Sequence, residues 1–234
     1  MKDSQRPPVL AHRRFDADRQ SFQNPSLRDR FIRIYATNLW GAESSVSGLG
    51  SERHAAAALS ETFPALLHSL AVQRLLDAPC GDAQWITDLA LPCHYIGVDI
   101  VPEIIAQLQS RHSSADQQFL VADITLTSLP DADAILCRDC LVHLSYSNIS
   151  RAIENFCRSN ARYLLTTTFT QWEENHDIED GDWRPLNFQG RPFEWPEPAA
   201  ILNEGCTEAH GAYADKCIGV WLLDDIRQVP LRRR

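Results

Sequence analysis

The chain has 234 residues, which is enough for one domain with a substantial core. Its 44% hydrophobic and 23% charged residues are typical of a globular protein in water. The formal net charge of -9 argues against nucleic acid as the main partner, because phosphate binding favours a basic surface. No apolar run approaches the roughly 18–20 residues that span a bilayer, so we expect no membrane helix and no membrane partner.

The cysteines and the N-terminal residues indicate the cellular compartment of the protein. The seven cysteines stand in no regular framework, and reduced thiols in the cytoplasm are the simplest interpretation. Cys137 and Cys140 form a C-x-x-C pair, but no second pair or His cluster accompanies it, so we predict no zinc site. The first 25 residues are polar and lack the apolar core of a secretory signal. We predict a flexible arm over residues 1–25.

Helical periodicity begins after this arm. Leu27, Phe31, Ile34 and Tyr35 have the spacing of one apolar helix face. A Gly- and Ser-rich loop follows from residue 40 to residue 51, and residues 54–70 predict a second helix, interrupted or kinked near Pro64.

From residue 73 the pattern changes to alternating strands and helices. Strands are predicted over 73–79, 94–100, 117–124, 132–139, 162–170 and 216–226, and helices over 82–90, 102–112 and 148–159. This alternation predicts a parallel sheet with helices on both faces. We interpret residues 26–234 as one domain of the α/β class, with 171–215 as an irregular segment of functional importance.

Acidic residues end the first three of these strands. Ligands of open parallel sheets bind at the carboxyl ends of the strands, where Asp77, Asp99 and Asp123 would meet. The turn after the first strand holds a single glycine, Gly81, whereas a dinucleotide site needs three to cradle a pyrophosphate. Asp77 and Asp82 would repel a pyrophosphate but suit a cationic amino group. A nicotinamide dinucleotide is therefore disfavoured.

A nucleoside fits the other two acids. The carboxylate of Asp99 has two oxygens that can accept from the adjacent hydroxyls of a ribose. Asp123 is placed to accept from the exocyclic amine of adenine, beside the backbone of Ile124.

At these motifs the chain resembles the class I S-adenosylmethionine-dependent methyltransferases, over roughly residues 70 to 170. LLDAPCGDAQW is similar to their first motif, IGVDI to the second, VADI to the third and DAILCRDCLVHLS to the fourth. Pro79 stands where the first glycine of the family is usual. The resemblance implies a Rossmann-like fold with a mostly parallel seven-stranded sheet, helices on both faces, and S-adenosylmethionine as the cofactor.

The resemblance also implies roles for individual residues. Asp77, Cys80 and Gly81 would line the methionine part of the cofactor, and Cys137 and Arg138 would flank the sulfonium. The remaining cofactor contacts implied are Asp99 at the ribose, Asp123 and Ile124 at the adenine, and Ile100. The segment FIRIYATNLWGAESSVSGLGS is similar to that of small bacterial methyltransferases, some of which act on sugar or other small-molecule hydroxyls. By that similarity, residues 26–70 supply N-terminal helices and a cofactor lid that includes Trp40, Ser47, Gly48 and Ser51, and 171–215 form an acceptor-side insertion.

A hydroxyl acceptor must lose its proton, so a general base is expected near the fourth motif. His143 is the preferred base, because imidazole titrates in the useful range, and Asp139 could orient it or hold a divalent cation. Mg²⁺ is considered as a further cofactor, held by oxygen-rich groups at His176, Asp177 and Asp182, although no metal ligand is assigned.

The favoured function is methyl transfer to a hydroxyl of a small molecule such as a sugar, by a monomer or homodimer. Two alternatives stay open. One is methylation of an amine or a peptide side chain, which needs less help from a base. The other is a catalytically inactive module that binds S-adenosylmethionine.

Overall fold

Strands and helices alternate through the centre of the chain in the computed structural model, which describes residues 6–23 and 25–229. The strands are β1 (Arg74–Asp77), β2 (His94–Asp99), β3 (Gln117–Val121), β4 (Ala134–Cys137), β5 (Tyr163–Phe169), β6 (Ala200–Asn203) and β7 (Lys216–Leu222). The helices are α1 (Leu10–Asp18), α2 (Leu27–Ala36), α3 (Ala57–Ser69), α4 (Pro102–His112), α5 (Tyr146–Arg158), α6 (Glu208–Gly211) and α7 (Leu223–Arg227). Short 3₁₀ turns lie at Arg19–Phe22, Leu49–Ser51 and Leu141–His143.

The seven strands form one sheet in the order β3-β2-β1-β4-β5-β7-β6. Neighbouring strands from β1 to β5 are parallel, whereas β7 runs antiparallel to both β5 and β6. The prediction of a mostly parallel seven-stranded sheet is confirmed. All carboxyl ends of β1 to β4 therefore meet at one edge, which is the edge where the acidic motifs end their strands.

Helices cover both faces of the sheet. Successive side chains of a strand point to opposite faces, and Leu75 and Leu76 of β1 accordingly enter different apolar clusters. Leu75 lies in the cluster that contains Phe63 of α3 and Ile104 of α4, and Leu76 lies in the cluster that contains Ile153 of α5. This two-sided burial confirms the predicted three-layer arrangement.

Some local predictions are wrong. Residues 82–90 form successive turns rather than a helix, because Ala83 has a positive φ of 51° and tight bonds such as Ile86 N to Ala83 O close short loops there. Helix α3 continues through Pro64 without interruption. The predicted last strand ends at Leu222, after which the chain turns directly into α7.

The flexible arm predicted over residues 1–25 is wrong for the residues of that range that the structure describes. Phe15 of α1 and Phe22 are buried, and their rings stack with centroids 5.0 Å apart. Arg6 pairs with Asp215 at 2.6 Å. Burial of these two aromatic rings offsets the conformational entropy lost when the segment is ordered. The polar composition of the segment did not indicate this stabilisation. Residues 1–5 and residue 24 lie outside the described residues.

The cysteines are free thiols, and Cys137 and Cys140 are both buried. No helix in the described part of the chain combines the length and the apolar character needed to cross a membrane.

Candidate functional site

A cavity of about 950 Å³, including its open mouth, lies at the carboxyl ends of β1 to β4. It brings together the three strand-end acids Asp77, Asp99 and Asp123. We call it the first cavity. The candidate residues that line it are Trp40, Ser47, Ser51, Asp77, Cys80, Gly81, Asp99, Ile100, Asp123, Ile124, Arg138, Asp139 and His143.

Two of the candidate cofactor residues lie elsewhere. Cys137 is fully buried in β4 and belongs to the apolar cluster that contains Ile153 of α5. Gly48 lines a neighbouring second cavity. Helix α2 contributes Leu27, Phe31 and Tyr35 to the first cavity, although the sequence indicated only that these residues share an apolar helix face.

The turn after β1 requires glycine at position 81. Gly81 has a φ of 55°, and its backbone N–H donates to Asp99 Oδ2 at 3.1 Å. A Cβ at this position would stand 2.4 Å from Ser47 Oγ. The same Ser47 Oγ accepts from the backbone N–H of Asp82 at 2.8 Å, so the loop that carries Ser47 packs directly on the turn.

The acids are buried, and this changes their pKa values. Burial raises the pKa of Asp77 to about 7, although a hydrogen bond from the Tyr95 hydroxyl opposes the shift. Burial likewise raises the pKa of Asp99 to about 6, against hydrogen bonds from the backbone N–H groups of Val101 and Gly81. Such carboxylates gain from a ligand that brings hydroxyl donors or a positive charge.

Asp123 is only half-buried and lies two residues beyond the end of β3. Its Oδ1 accepts from the backbone N–H of Thr125 at 2.8 Å and from the Thr125 hydroxyl at 2.6 Å. These bonds fix the carboxylate at the rim of the first cavity, beside Ile124.

His143 stands in the wall between the two cavities and lines both. Its Nδ1 pairs with the backbone carbonyl of Asp182 at 2.7 Å, and its ring stacks on Trp40 with centroids 4.2 Å apart. A carbonyl only accepts, so Nδ1 carries the proton and Nε2 is left as an acceptor. Burial lowers the pKa of His143 to about 4, which keeps the imidazole neutral at physiological pH.

The sequence suggested that Asp139 orients His143. In the structure the backbone carbonyl of Asp182 holds the imidazole instead. Asp139 Oδ2 instead accepts from Lys216 Nζ at 2.6 Å. Burial would raise the pKa of Asp139, but the cations Lys216 and Arg138 outweigh it and hold that pKa below its ordinary value. Asp139 is thus a paired carboxylate at neutral pH.

A buried ion network supports the floor of the site. Arg138 donates from Nε to Glu204 Oε2 at 2.9 Å and from Nη2 to the carbonyl of Gly50 at 2.8 Å. Lys216 also lies 3.5 Å from Glu204 Oε2. The sequence analysis did not name Lys216 and Glu204 as candidates. Lys216 is the first residue of the otherwise apolar strand β7, and a lysine at that position could have indicated a buried ion pair.

Two of the three residues considered for Mg²⁺ have other partners. Asp182 Oδ1 pairs with His12 Nδ1 at 2.7 Å, and Asp177 Oδ1 accepts from the backbone N–H of Tyr146 at 2.7 Å. Across residues 6–23 and 25–229, no three His, Cys, Asp or Glu side chains are grouped so that they could hold a metal ion.

The second cavity, of about 530 Å³ including its open mouth, adjoins the first. Trp40, Ser47, Asp139 and His143 line both, so the two cavities share a wall. Lys216, Glu208 and Tyr213 line the second cavity alone.

The sequence from residue 75 to residue 161 matches the family model described as a methyltransferase domain. No curated protein matches the chain.

Similar solved structures include an S-adenosylmethionine-dependent methyltransferase from Anabaena variabilis ATCC 29413, at 13% identity over 62% of this chain and 63% of that chain, with a TM-score of 0.48. The N-methyltransferase NodS from Bradyrhizobium japonicum WM9, in complex with S-adenosyl-L-homocysteine, is 19% identical over 62% of this chain and 74% of its own, with a TM-score of 0.46. The methyltransferase domain of bacterial CtHen1 is 13% identical over 49% of this chain and 66% of its own, with a TM-score of 0.43. This chain thus spans between 63% and 74% of the length of these three chains.

The family match covers β1 to α5 and contains the turn at Gly81 and the acids that end β1 to β3. Residues 75–161 therefore resemble a methyltransferase domain in sequence, and they lie in a mostly parallel, Rossmann-like sheet of seven strands.

Proposed function

We propose that the chain transfers a methyl group from S-adenosylmethionine to a hydroxyl of a small molecule. The observation that carries this proposal is the position of His143, a neutral imidazole with a free Nε2 acceptor in the wall shared by the two cavities. A hydroxyl in the second cavity can donate to this nitrogen while its oxygen faces the first cavity.

The residues of the first cavity fit the cofactor. Asp99 would accept from the ribose hydroxyls, and Asp123 with Ile124 would hold the adenine. Asp77, Cys80 and Gly81 would hold the amino-acid end, where the absence of a Cβ at Gly81 lets backbone come close. Bound S-adenosylmethionine supplies an activated methyl group on a sulfonium.

The protein's own contribution is alignment and exclusion of water. Trp40 covers His143, and the loop that carries Ser47 is fixed to the turn at Gly81 through Asp82. We propose that residues 26–70 close over the cofactor and that 171–215, which supply Trp183 and Glu208, form the acceptor side.

The second candidate function is methylation of an amine. It is favoured by the low pKa of His143, about 4, because a weakly basic imidazole assists removal of a hydroxyl proton only modestly. A neutral amine attacks without prior loss of a proton.

Two measurements test the proposal. Calorimetric titration with S-adenosylhomocysteine should give one site per chain. Transfer from methyl-labelled S-adenosylmethionine to a panel of matched alcohols and amines should then label oxygen. Labelling of nitrogen would favour the second candidate, and binding without transfer to any acceptor would indicate an inactive module.

A further inference from the structure

Aromatic rings form much of the second cavity. Phe169, Trp183 and Tyr213 contact one another edge to face, with centroids 5.9, 5.8 and 5.1 Å apart, and Trp40 closes the side toward the first cavity. Rings held in this way offer flat apolar surface to a small molecule, and their faces attract cations.

The charged groups of this cavity are unevenly paired. Asp139 and Lys216 form an ion pair at 2.6 Å. Glu208 lies beyond that pair, half-buried, and forms no ion pair with any cation in the described part of the chain. Burial raises the pKa of Glu208, and the charge of Lys216 opposes this shift from beyond ion-pair distance. Glu208 is therefore a carboxylate without a directly paired cation among the described residues.

The other titratable groups of the lining are neutral at physiological pH. Burial lowers the pKa of His143 to about 4, raises the pKa of Tyr213 to about 12 and raises the pKa of the Cys206 thiol. The cavity as a whole thus carries a surplus of one negative charge, located at Glu208. A surplus carboxylate among aromatic rings is the combination that recognises an organic ammonium group.

The two ends of the cavity differ in chemistry. His143 borders both cavities, whereas Glu208 borders the second alone. A molecule in the second cavity can therefore present one group to the methyl donor and another to Glu208.

We propose that the second cavity binds a small acceptor that carries a cationic amino group, and that Glu208 pairs with this group while the hydroxyl to be methylated faces His143. The inference rests on the proposed function, which places the cofactor in the first cavity. It narrows the substrate class to amino alcohols, amino sugars and similar hydroxylated amines.

The test uses matched pairs of probes that differ by the ammonium group, tyramine against 4-ethylphenol and glucosamine against glucose. Each probe is titrated into the full-length protein saturated with S-adenosylhomocysteine. We expect the ammonium member of at least one pair to bind about tenfold more tightly than its neutral partner. Glu208→Gln should abolish that preference, because a neutral amide cannot pair with the cation.

Glu61→Gln is the matched control, since Glu61 is exposed on α3 and the substitution removes the same charge. It should leave the preference intact. Equal affinities within both pairs, including no binding by either member, would overturn the proposal, as would a preference that survives Glu208→Gln. S-adenosylhomocysteine binding is measured first with each variant. If the unsubstituted protein did not bind S-adenosylhomocysteine, that result would contradict the proposed function itself. Failure of the proposed function and failure of the amine-binding proposal can therefore be distinguished.

Discussion

The imidazole of His143 is fixed by the backbone carbonyl of Asp182, which accepts from Nδ1 at 2.7 Å. This bond sets the tautomer and leaves Nε2 to act as the acceptor in the wall between the two cavities. A main-chain carbonyl from the segment after β5 therefore does for His143 what a carboxylate does in many active sites.

The first prediction follows from this bond. Asn in place of His143 puts an amide near the position of Nδ1 and removes Nε2. We expect His143→Asn to lower kcat for methyl transfer to a hydroxyl by about 100-fold, while S-adenosylhomocysteine affinity changes by less than about twofold. His143→Gln, whose amide reaches toward the position of Nε2, should lose less. Unchanged turnover in His143→Asn would remove this residue from the mechanism.

The second prediction concerns pH and the cofactor. The pKa of Asp99 is raised to about 6, so its carboxylate becomes protonated as the pH falls through that value. A protonated acid accepts less strongly from ribose hydroxyls, and calorimetric affinity for S-adenosylhomocysteine should fall between pH 8 and pH 5. Asp99→Asn should bind at least about tenfold more weakly at pH 8 and show a flatter pH dependence. An unaltered pH dependence in this variant would show that another group is responsible.

The third prediction concerns stability. Because burial raises the pKa of Asp77 to about 7 in the folded chain, its contribution favours folding at low pH and is lost as the pH rises through that value. In Asp77→Asn the charge is absent at every pH. We therefore expect the Tm without ligand to rise by about 3–6 °C at pH 8, and the gain to shrink as the pH falls toward about 4.

The exposed Asp225 provides the control, since Asp225→Asn removes the same charge without relieving burial. Asp77→Asn should also weaken S-adenosylhomocysteine binding. A lower Tm at pH 8 would mean that the charged carboxylate stabilises the fold.

The fourth prediction separates crowding from backbone strain at Gly81. A methyl group there meets Ser47 Oγ at 2.4 Å, whereas at Gly211, which also has a positive φ, nothing lies within 4 Å. Both alanine variants should lose about 1–2 kcal/mol of stability to strain. Only Gly81→Ala should also weaken S-adenosylhomocysteine binding, by at least about tenfold, because it displaces the loop that carries Ser47. Equal effects of the two variants on binding would exclude this loop contact as the cause.

The fifth prediction tests whether residues 6–23 belong to the folded unit. Phe15 is fully buried against Phe22, so Phe15→Ala should lower the free energy of unfolding by about 3–5 kcal/mol, measured by urea denaturation. Arg13→Ala, an exposed position on the same helix, should change it by less than about 0.5 kcal/mol. If both variants unfolded at the same urea concentration as the unchanged chain, the segment would contribute nothing to the fold.

The sequence by itself determined the α/β class, the acids at the ends of β1 to β3 and the glycine of the first turn. These features rest on local causes: apolar spacing predicts strands and helices, and parallel strands must end at a common edge. Local patterns failed at residues 82–90, where the backbone of Ala83 takes a conformation that a helix does not allow.

Only the tertiary structure decided the rest of the site. Lys216 neutralises Asp139 from 77 positions away in sequence, and the carbonyl of Asp182 holds His143 from 39 positions away. The tertiary structure also decided that the first helix packs on the folded domain through Phe15 and Phe22. Contacts between distant segments depend on where the folded sheet places them, and local residue spacing does not reveal those positions. A buried charge pairs with the opposite charge that lies beside it in the packed structure.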